Sequence, residues 1–389
     1  MMIRSARVGS FVGLAAATLL GASALAQDLK LPQTLTFTAY DTGTSGFNIT
    51  VAVGKAFKDK ANAEIRVLPA GNDVARLAPL KTNRAQVSSM GTGSFFAMEG
   101  LFEFGSSREW GPQPLQLLLS SIDCNGANLG IAADTGVKDL KGLKGKRVGF
   151  TVGSPALNQN TLAMLAFAGL KKEDVKIVEF ASYGAMWKGL INNDIDTAFG
   201  STVTGPAKEA EASPRGLVWP ALPAADKEGW ARVLKIAPFF TPHKATCGAT
   251  GITPAKPIEM GTFPYPIYLA YSSLSEDLAY NVTKTMIVGY DIYKDAVPGA
   301  SGLDFRKQTK DWVLPFHPGA IKALKEAGQW TAADQAHTDK LQARQKTLAA
   351  AWQDYLKTNP PADKEPFLAG WMAARKAALT KAGMDPIIE

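Results

Sequence analysis

Strand-like and helix-like stretches alternate with little interruption from Leu35 to Ser201, and that rhythm limits the available folds more than any other feature of the chain. LTFTAY (35–40) alternates apolar and polar residues and runs through a glycine turn into a helical pattern ending near Asp59. EIRVLPA (64–70) reads as a strand, NDVARLAPLKT (72–82) as a helix and AQVSSMG (85–91) as a strand. NLGIAA (128–133), KRVGFTV (146–152), DVKIVEF (174–180) and DIDTAFGS (194–201) are further strands. Helices from Pro155 to about Ala168, stopped by Gly169, and from Tyr183 to about Asn192 lie between them. Strands alternating with helices of this length predict parallel sheets covered by helices on both faces.

The first 26 residues stand apart from this pattern. Arg4 and Arg7 precede an apolar run from Val8 to Leu20, and Ala24-Leu25-Ala26 follows. That order is a secretory signal peptide with cleavage after Ala26. A transmembrane anchor needs about 20 apolar residues, and this run is shorter. Gln27, in place of Cys, gives no site for a lipid anchor. The expected product is an exported, periplasmic protein of 363 residues (389 minus 26), more than one core usually holds and enough for two lobes.

Charge excludes one large class of partner. The formal +7 includes Arg4 and Arg7, leaving +5 after cleavage, and the lysines of KDLKGLKGKR (138–147) read as a solvated face. Nucleic-acid binding needs a clustered basic patch with aromatic or motif support, which is missing. Cys124 and Cys247 are too few for a metal cluster; they are either one disulfide or two buried thiols.

Two helix starts have the chemistry of anion sites. TGTSG (42–46) leads into the first helix, and Ser154-Pro155 sets a capping hydroxyl before a proline suited to the first helical position. Unpaired N–H groups and the positive dipole end gather at such starts. Catalytic templates are absent: His243, His317 and His337 form no metal-spaced pair, no G-x-S-x-G elbow occurs, and no Walker pattern occurs. His317 reads as a structural turn residue. No cofactor and no metal are expected, and the chain is read as a binding protein and not an enzyme.

DTGTSGFN (41–48), RVLPAGNDVARLAPLKTNRAQVSSMGTGSFFAMEG (66–100), ADTGVKDLKGLKGKRVGF (133–150) and above all FHPGAIKALKEAG (316–328) resemble the TAXI-type solute receptors of tripartite ATP-independent periplasmic (TRAP) transporters. The resemblance implies a class II periplasmic-binding-protein fold: two α/β lobes joined by hinge strands, acting as a monomer, with ligand enclosed between them. It implies a first lobe over 27–126, a second over 127–218, and a return to the first over 219–328. Thr42, Gly43, Thr44 and Ser45 match the family's first ligand turn, with Phe47-Asn48 replacing its aromatic pair. Asn72 lies in the turn matching a glycine-serine turn, and Thr92 matches the serine at the following strand end. Ser201 and Thr202 fall where the family again lines the cleft. Ala156-Leu157-Asn158-Gln159 replaces a G-S-G-T segment and loses two hydroxyls.

From these residues a carboxylate is expected at the start of the first helix, bonded near Ser45 and Gly46, with Ser154 and Asn158 closing on it. The implied function is capture of a small organic anion (a carboxylate, dicarboxylate or glutamate-like compound) for delivery to a TRAP permease. An ATP-driven (ABC) importer could use the same lobes. An exported enzyme would instead depend on a group such as His317 or Asp73. Residues 329–389 read as two further helices packing on the body: a Thr331 cap with Asp334, then His337, Leu341, Leu348, Trp352 and Tyr355 on one stripe, and after NPP a helix carrying Phe367, Trp371 and Met372.

Overall fold

The computed structural model describes residues 29–388; the expected signal peptide lies outside them. The chain first lays down β1 (Thr34–Ala39), α1 (Ser45–Ala61), β2 (Glu64–Pro69), α2 (Asp73–Lys81), β3 (Val87–Met90), α3 (Gly93–Glu99) and β4 (Leu115–Leu119). It then crosses to a second sheet with β5 (Ala127–Ala132), β6 (Arg147–Thr151), α4 (Pro155–Phe167), β7 (Lys176–Phe180), α5 (Tyr183–Ile191), β8 (Thr197–Ser201), α6 (Gly205–Ala212), β9 (Leu217–Val218), α7 (Lys227–Ile236), β10 (Thr241–Ala245) and β11 (Ile258–Thr262). β12 (Ile267–Tyr271) returns to the first sheet, followed by α8 (Glu276–Val288), the short α9 (Tyr290–Tyr293) and α10 (Pro318–Glu326). α11 (Ala332–Lys357) and α12 (Lys364–Lys381) complete the described chain.

The first sheet runs β2-β1-β3-β12-β4 and the second β10-β11-β5-β8-β6-β7, with β9 beside β5. β1 is parallel to β2 and β3, and β6 is parallel to β7 and β8, as helix crossovers require. Both sheets are nevertheless mixed, which departs from the parallel expectation. β12 runs antiparallel to β3 and β4, and β5 antiparallel to β8, because each enters its sheet from the other lobe. The class II two-lobed fold is thus present.

The return to the first lobe lies at 263–266 and not at 219. β10 and β11 pair residue for residue over 241–245 and 258–262 and belong to the second sheet. TPHKA has no apolar alternation, so backbone pairing alone marks it as a strand. The two crossings are bonded together where Tyr265 N donates to Ser121 O at 2.7 Å. Cys124, on the first crossing, is bridged to Cys247 with Cα atoms 5.4 Å apart.

The tail packs on the first lobe. Thr331 and Asp334 form a reciprocal capping box at the start of α11. Leu348, Trp352 and Tyr355 of α11 meet Phe367, Trp371 and Leu379 of α12 in a core of their own. Trp371 Nε1 donates to Gly100 O at 2.6 Å, fastening that core to the body.

Candidate functional site

Three turns leading into helices converge where the sheets face each other. In the first, Thr44 caps α1: its Oγ1 accepts from Phe47 N at 3.3 Å and donates to Asp41 O at 2.7 Å. Ser45 follows, buried, with no hydrogen-bond partner for its Oγ. In the second, Asn72 caps α2 by accepting from Ala75 N at 2.8 Å. Asp73 comes next, with its carboxylate pressed so closely on Gly93 that a Cβ there would lie 2.5 Å from Asp73 Cγ. The third is the start of α4, where Ser154 and Ala156 point at Asp73.

Asp73 organises the centre. Its Oδ1 accepts from Arg76 Nη1 at 2.9 Å, one helical turn on, while Oδ2 accepts from Ser154 Oγ at 3.2 Å and Ala156 N at 2.9 Å across the cleft. Arg76 lies with its guanidinium carbon 3.7 Å from the centroid of the Tyr40 ring, a cation–π geometry, and donates from Nη2 to Ala70 O at 3.2 Å. Its Nε has no partner. Both residues are only 2% exposed.

Between the lobes these groups surround a cavity of about 60 Å³. Tyr40, Tyr183, Phe199, Phe263 and Tyr265 supply much of its wall; Thr92, Asn160, Asn125 and Thr262 add polar groups. Burial pushes the Tyr40, Tyr183 and Tyr265 phenols upward, with the Arg76 charge pulling back at Tyr40 and Tyr265, so all three are neutral hydroxyls at physiological pH. Ser45's hydroxyl lies near enough to Tyr265 to oppose that shift, yet outside hydrogen-bonding geometry.

The lobes are also stitched directly. Gly184 N donates to Asp41 Oδ2 at 2.8 Å, Tyr183 N to Gly71 O at 3.1 Å and Val74 N to Gly153 O at 3.2 Å. Asn160 Nδ2 donates to Thr92 Oγ1 at 3.1 Å. The N-termini of α4 and α5 in the second lobe are therefore each met by a carboxylate from the first.

Of the residues expected from the sequence, Thr44, Ser45, Thr92, Ser154 and Ser201 line the cavity. Five others sit elsewhere. Thr42 lies on an outer groove beside Asp41 and Lys188. Gly43, at φ 85°, sets its carbonyl against Gly205, where a Cβ would come within 2.4 Å. Asn72 is spent on capping α2. Asn158 folds back on its own strand, donating to Thr151 O at 3.1 Å and accepting from Thr151 N at 2.9 Å. Thr202 Oγ1 donates to Cys247 O at 2.8 Å and accepts from Gly126 N at 3.2 Å on the hinge side. Asp73 and Arg76, separated by three residues, carry the spacing of a helical ion pair, but such a pair is ordinarily solvated and gave no sign of burial. The hinge aromatics Phe263 and Tyr265 fall in no periodic segment.

None of the three histidines lines the cavity. His317 caps α10, its Nδ1 accepting from Gly319 N at 3.2 Å. Among the described residues no group of three or more His, Cys, Asp or Glu side chains could hold a metal ion, and no helix is long and apolar enough to cross a membrane.

Two α/β lobes on a double crossing, closed over a small polar and aromatic cavity, define a hinge-type cleft protein. The chain belongs to the NMT1-like family, whose match runs over residues 37–328. No curated protein matches it. Among solved structures it is similar to the alkanesulfonate-binding protein SsuA from Xanthomonas axonopodis pv. citri bound to MOPS, at 15% identity and a TM-score of 0.44, covering 90% of this chain and 93% of that one. It is also similar to the periplasmic aliphatic sulphonate binding protein SsuA from Escherichia coli, at 13% identity and a TM-score of 0.38, covering 91% and 89%. A third is an amino acid ABC transporter substrate-binding protein from Streptococcus pneumoniae Canada MDR_19A bound to L-arginine, at 10% identity and a TM-score of 0.40, covering 79% and 93%.

Proposed function

We propose that this protein is an exported periplasmic solute receptor whose lobes close on one small organic molecule and present it to a membrane permease. The observation that carries this reading is a pair of buried, unpartnered polar atoms, Arg76 Nε and Ser45 Oγ, on residues that line the interlobe cavity. Buried polar atoms left without partners are costly, so a pocket that retains two of them is built for a guest with an oxygen acceptor, either a carboxylate or a carbonyl. Closure follows from the rest of the lining, since Ser154, Tyr183 and Ser201 of the second lobe join Ser45 and Arg76 of the first around the guest only when the cleft is shut. The sequence resemblance favours a TRAP permease as the partner, with an ABC importer as the alternative. An exported enzyme would have to work through a group such as Asp73, whose two carboxylate oxygens already accept from Arg76, Ser154 and Ala156.

Native mass spectrometry of the exported protein tests the reading: a small molecule bound one to one is expected. Ser45→Ala and Arg76→Gln should each weaken its retention by about ten- to a hundredfold. Full retention by both variants, or an unchanged scattering radius with and without the molecule, would overturn it.

A further inference from the structure

The charge balance of the cavity narrows the guest. Its lining contains one acid and one base, Asp73 and Arg76, and they are bonded to each other at 2.9 Å in near-complete burial. Their charges cancel where they stand. Two of the three helix starts that would otherwise welcome an anion, those of α4 and α5, are already engaged. At α4, Ala156 N and Ser154 Oγ are given to Asp73, and at α5, Gly184 N goes to Asp41 and Tyr183 N to Gly71 O; at α1, Phe47 N goes to Thr44, whereas Ser45 N is given to none of these groups.

A carboxylate entering from the α4 side would have to displace Asp73 or lie against it, placing two negative charges together in a dry site. The remaining wall of Tyr40, Tyr183, Phe199, Phe263, Ala127 and Leu157 offers no countercharge. Burial of an uncompensated charge is strongly unfavourable, whereas a neutral oxygen bonded to a buried guanidinium N–H is not. Among the buried side-chain atoms of this lining, the Arg76 Nε donor and the adaptable Ser45 hydroxyl have no partner, and the Tyr40, Tyr183 and Tyr265 phenols add neutral donors without charge.

We propose that the guest is a net-uncharged polar molecule that presents a carbonyl- or hydroxyl-type oxygen to Arg76 and Ser45, and that Asp73 is the residue that turns small anions away. This rests on the capture reading and replaces the organic anion expected from the glycine turn. Asp73 thereby has two roles: it holds α4 across the closed cleft, and it neutralises the one cation that could recruit an acid.

The test uses matched acid–amide pairs as probes, namely propionate and propionamide, and benzoate and benzamide, each followed by calorimetry and by small-angle scattering. In the unaltered protein the neutral member of at least one pair should bind, and at least about tenfold tighter than its acid. Asp73→Asn leaves Arg76 uncompensated, so the preference should reverse toward the acid. Should that variant not fold, the ranking in the unaltered protein decides alone. Acids binding as well as or better than their amides would overturn the inference and leave the capture reading standing. Absence of both binding and compaction with every probe, together with no molecule retained in native mass spectrometry, would remove both.

Discussion

Arg344 grips Glu99 with both arms of its guanidinium, Nε to Oε1 at 2.6 Å and Nη2 to Oε2 at 2.8 Å, across 245 residues of chain. Arg375 bonds the same carboxylate through Nη2 and donates from Nε to Glu99 O at 3.2 Å. Glu99 and Arg375 are wholly buried, and burial pulls the Arg375 pKa down despite the attraction of Glu99. The two arginines come from α11 and α12, whereas Glu99 ends α3, the helix that begins beside the pocket residue Thr92. Residues beyond 328, outside the family match, therefore hold a helix of the site from behind. Glu99→Gln leaves two buried guanidinium groups with no counterion. It should destabilise the protein by about 3–5 kcal/mol, measured by urea unfolding. A loss below about 1 kcal/mol would show that the triad is not what fastens the tail.

The bridge between Cys124 and Cys247 spans a sequence separation of 123 residues. Chain-entropy reasoning values a closed loop of this size at about 4–5 kcal/mol, with measured gains often smaller. Free-thiol titration of the denatured, non-reduced protein should find no thiol, and reduction should lower the melting temperature. The bridge ties the first crossing to the β10–β11 loop, whose Ala249 N donates to Thr202 O at 2.8 Å. Both ends lie outside the cavity, so affinity should change less than stability. Two titratable thiols in the non-reduced protein would refute the expectation.

Most of the secondary structure was legible because local signals agreed with burial. The pattern of LTFTAY became β1, and Ser154-Pro155 became the start of α4, each within a residue or two. The mixed sheets were not legible, since the direction of β5 and β12 depends on which lobe the chain arrives from. The site was read from its hydroxyls and glycines, which pointed to turns, and those turns do converge. Asn158 shows where that reasoning stops: a polar residue in the first turns of a helix can serve a ligand or its own strand, and only tertiary structure decides. Asp73 and Arg76 were hidden for a related reason. An i,i+3 pair looks the same in sequence whether water or the opposite lobe covers it.

Asp41 lies outside the cavity, yet its carboxylate accepts from Gly184 N in the opposite lobe at 2.8 Å. Asp41→Ala removes an acceptor that exists only when the lobes meet, without touching a guest. A hydrogen bond to a charged acceptor contributes roughly 1.5–3 kcal/mol, so the ratio of closed to open forms should fall by about ten- to a hundredfold. Small-angle scattering at matched concentration should give a larger mean radius for the variant. An identical scattering curve would mean that the remaining cross-lobe bonds, such as Tyr183 N to Gly71 O, suffice.

Acid should weaken the fold through His317. The residue is 2% exposed and caps α10, with Nδ1 accepting from Gly319 N and Nε2 set 3.1 Å from Leu274 O. Burial holds its pKa below the usual histidine value, while the Leu274 carbonyl and Glu276 pull the other way. The folded state therefore binds fewer protons than the unfolded chain in the range between the two pKa values, and stability rises with pH there. Stability is complete above the ordinary histidine pKa of about 6.5 and is lost as the pH falls from there through the lower folded value. Protonation also consumes the Nδ1 lone pair that caps the helix. Urea unfolding at pH 7.5 and at pH 5.5 should show this loss, and His317→Asn, which keeps a capping oxygen and cannot titrate, should show less of it. Some dependence should persist in the variant, because burial also lowers the His243 pKa. Equal losses in the two proteins would assign the acid sensitivity to other groups.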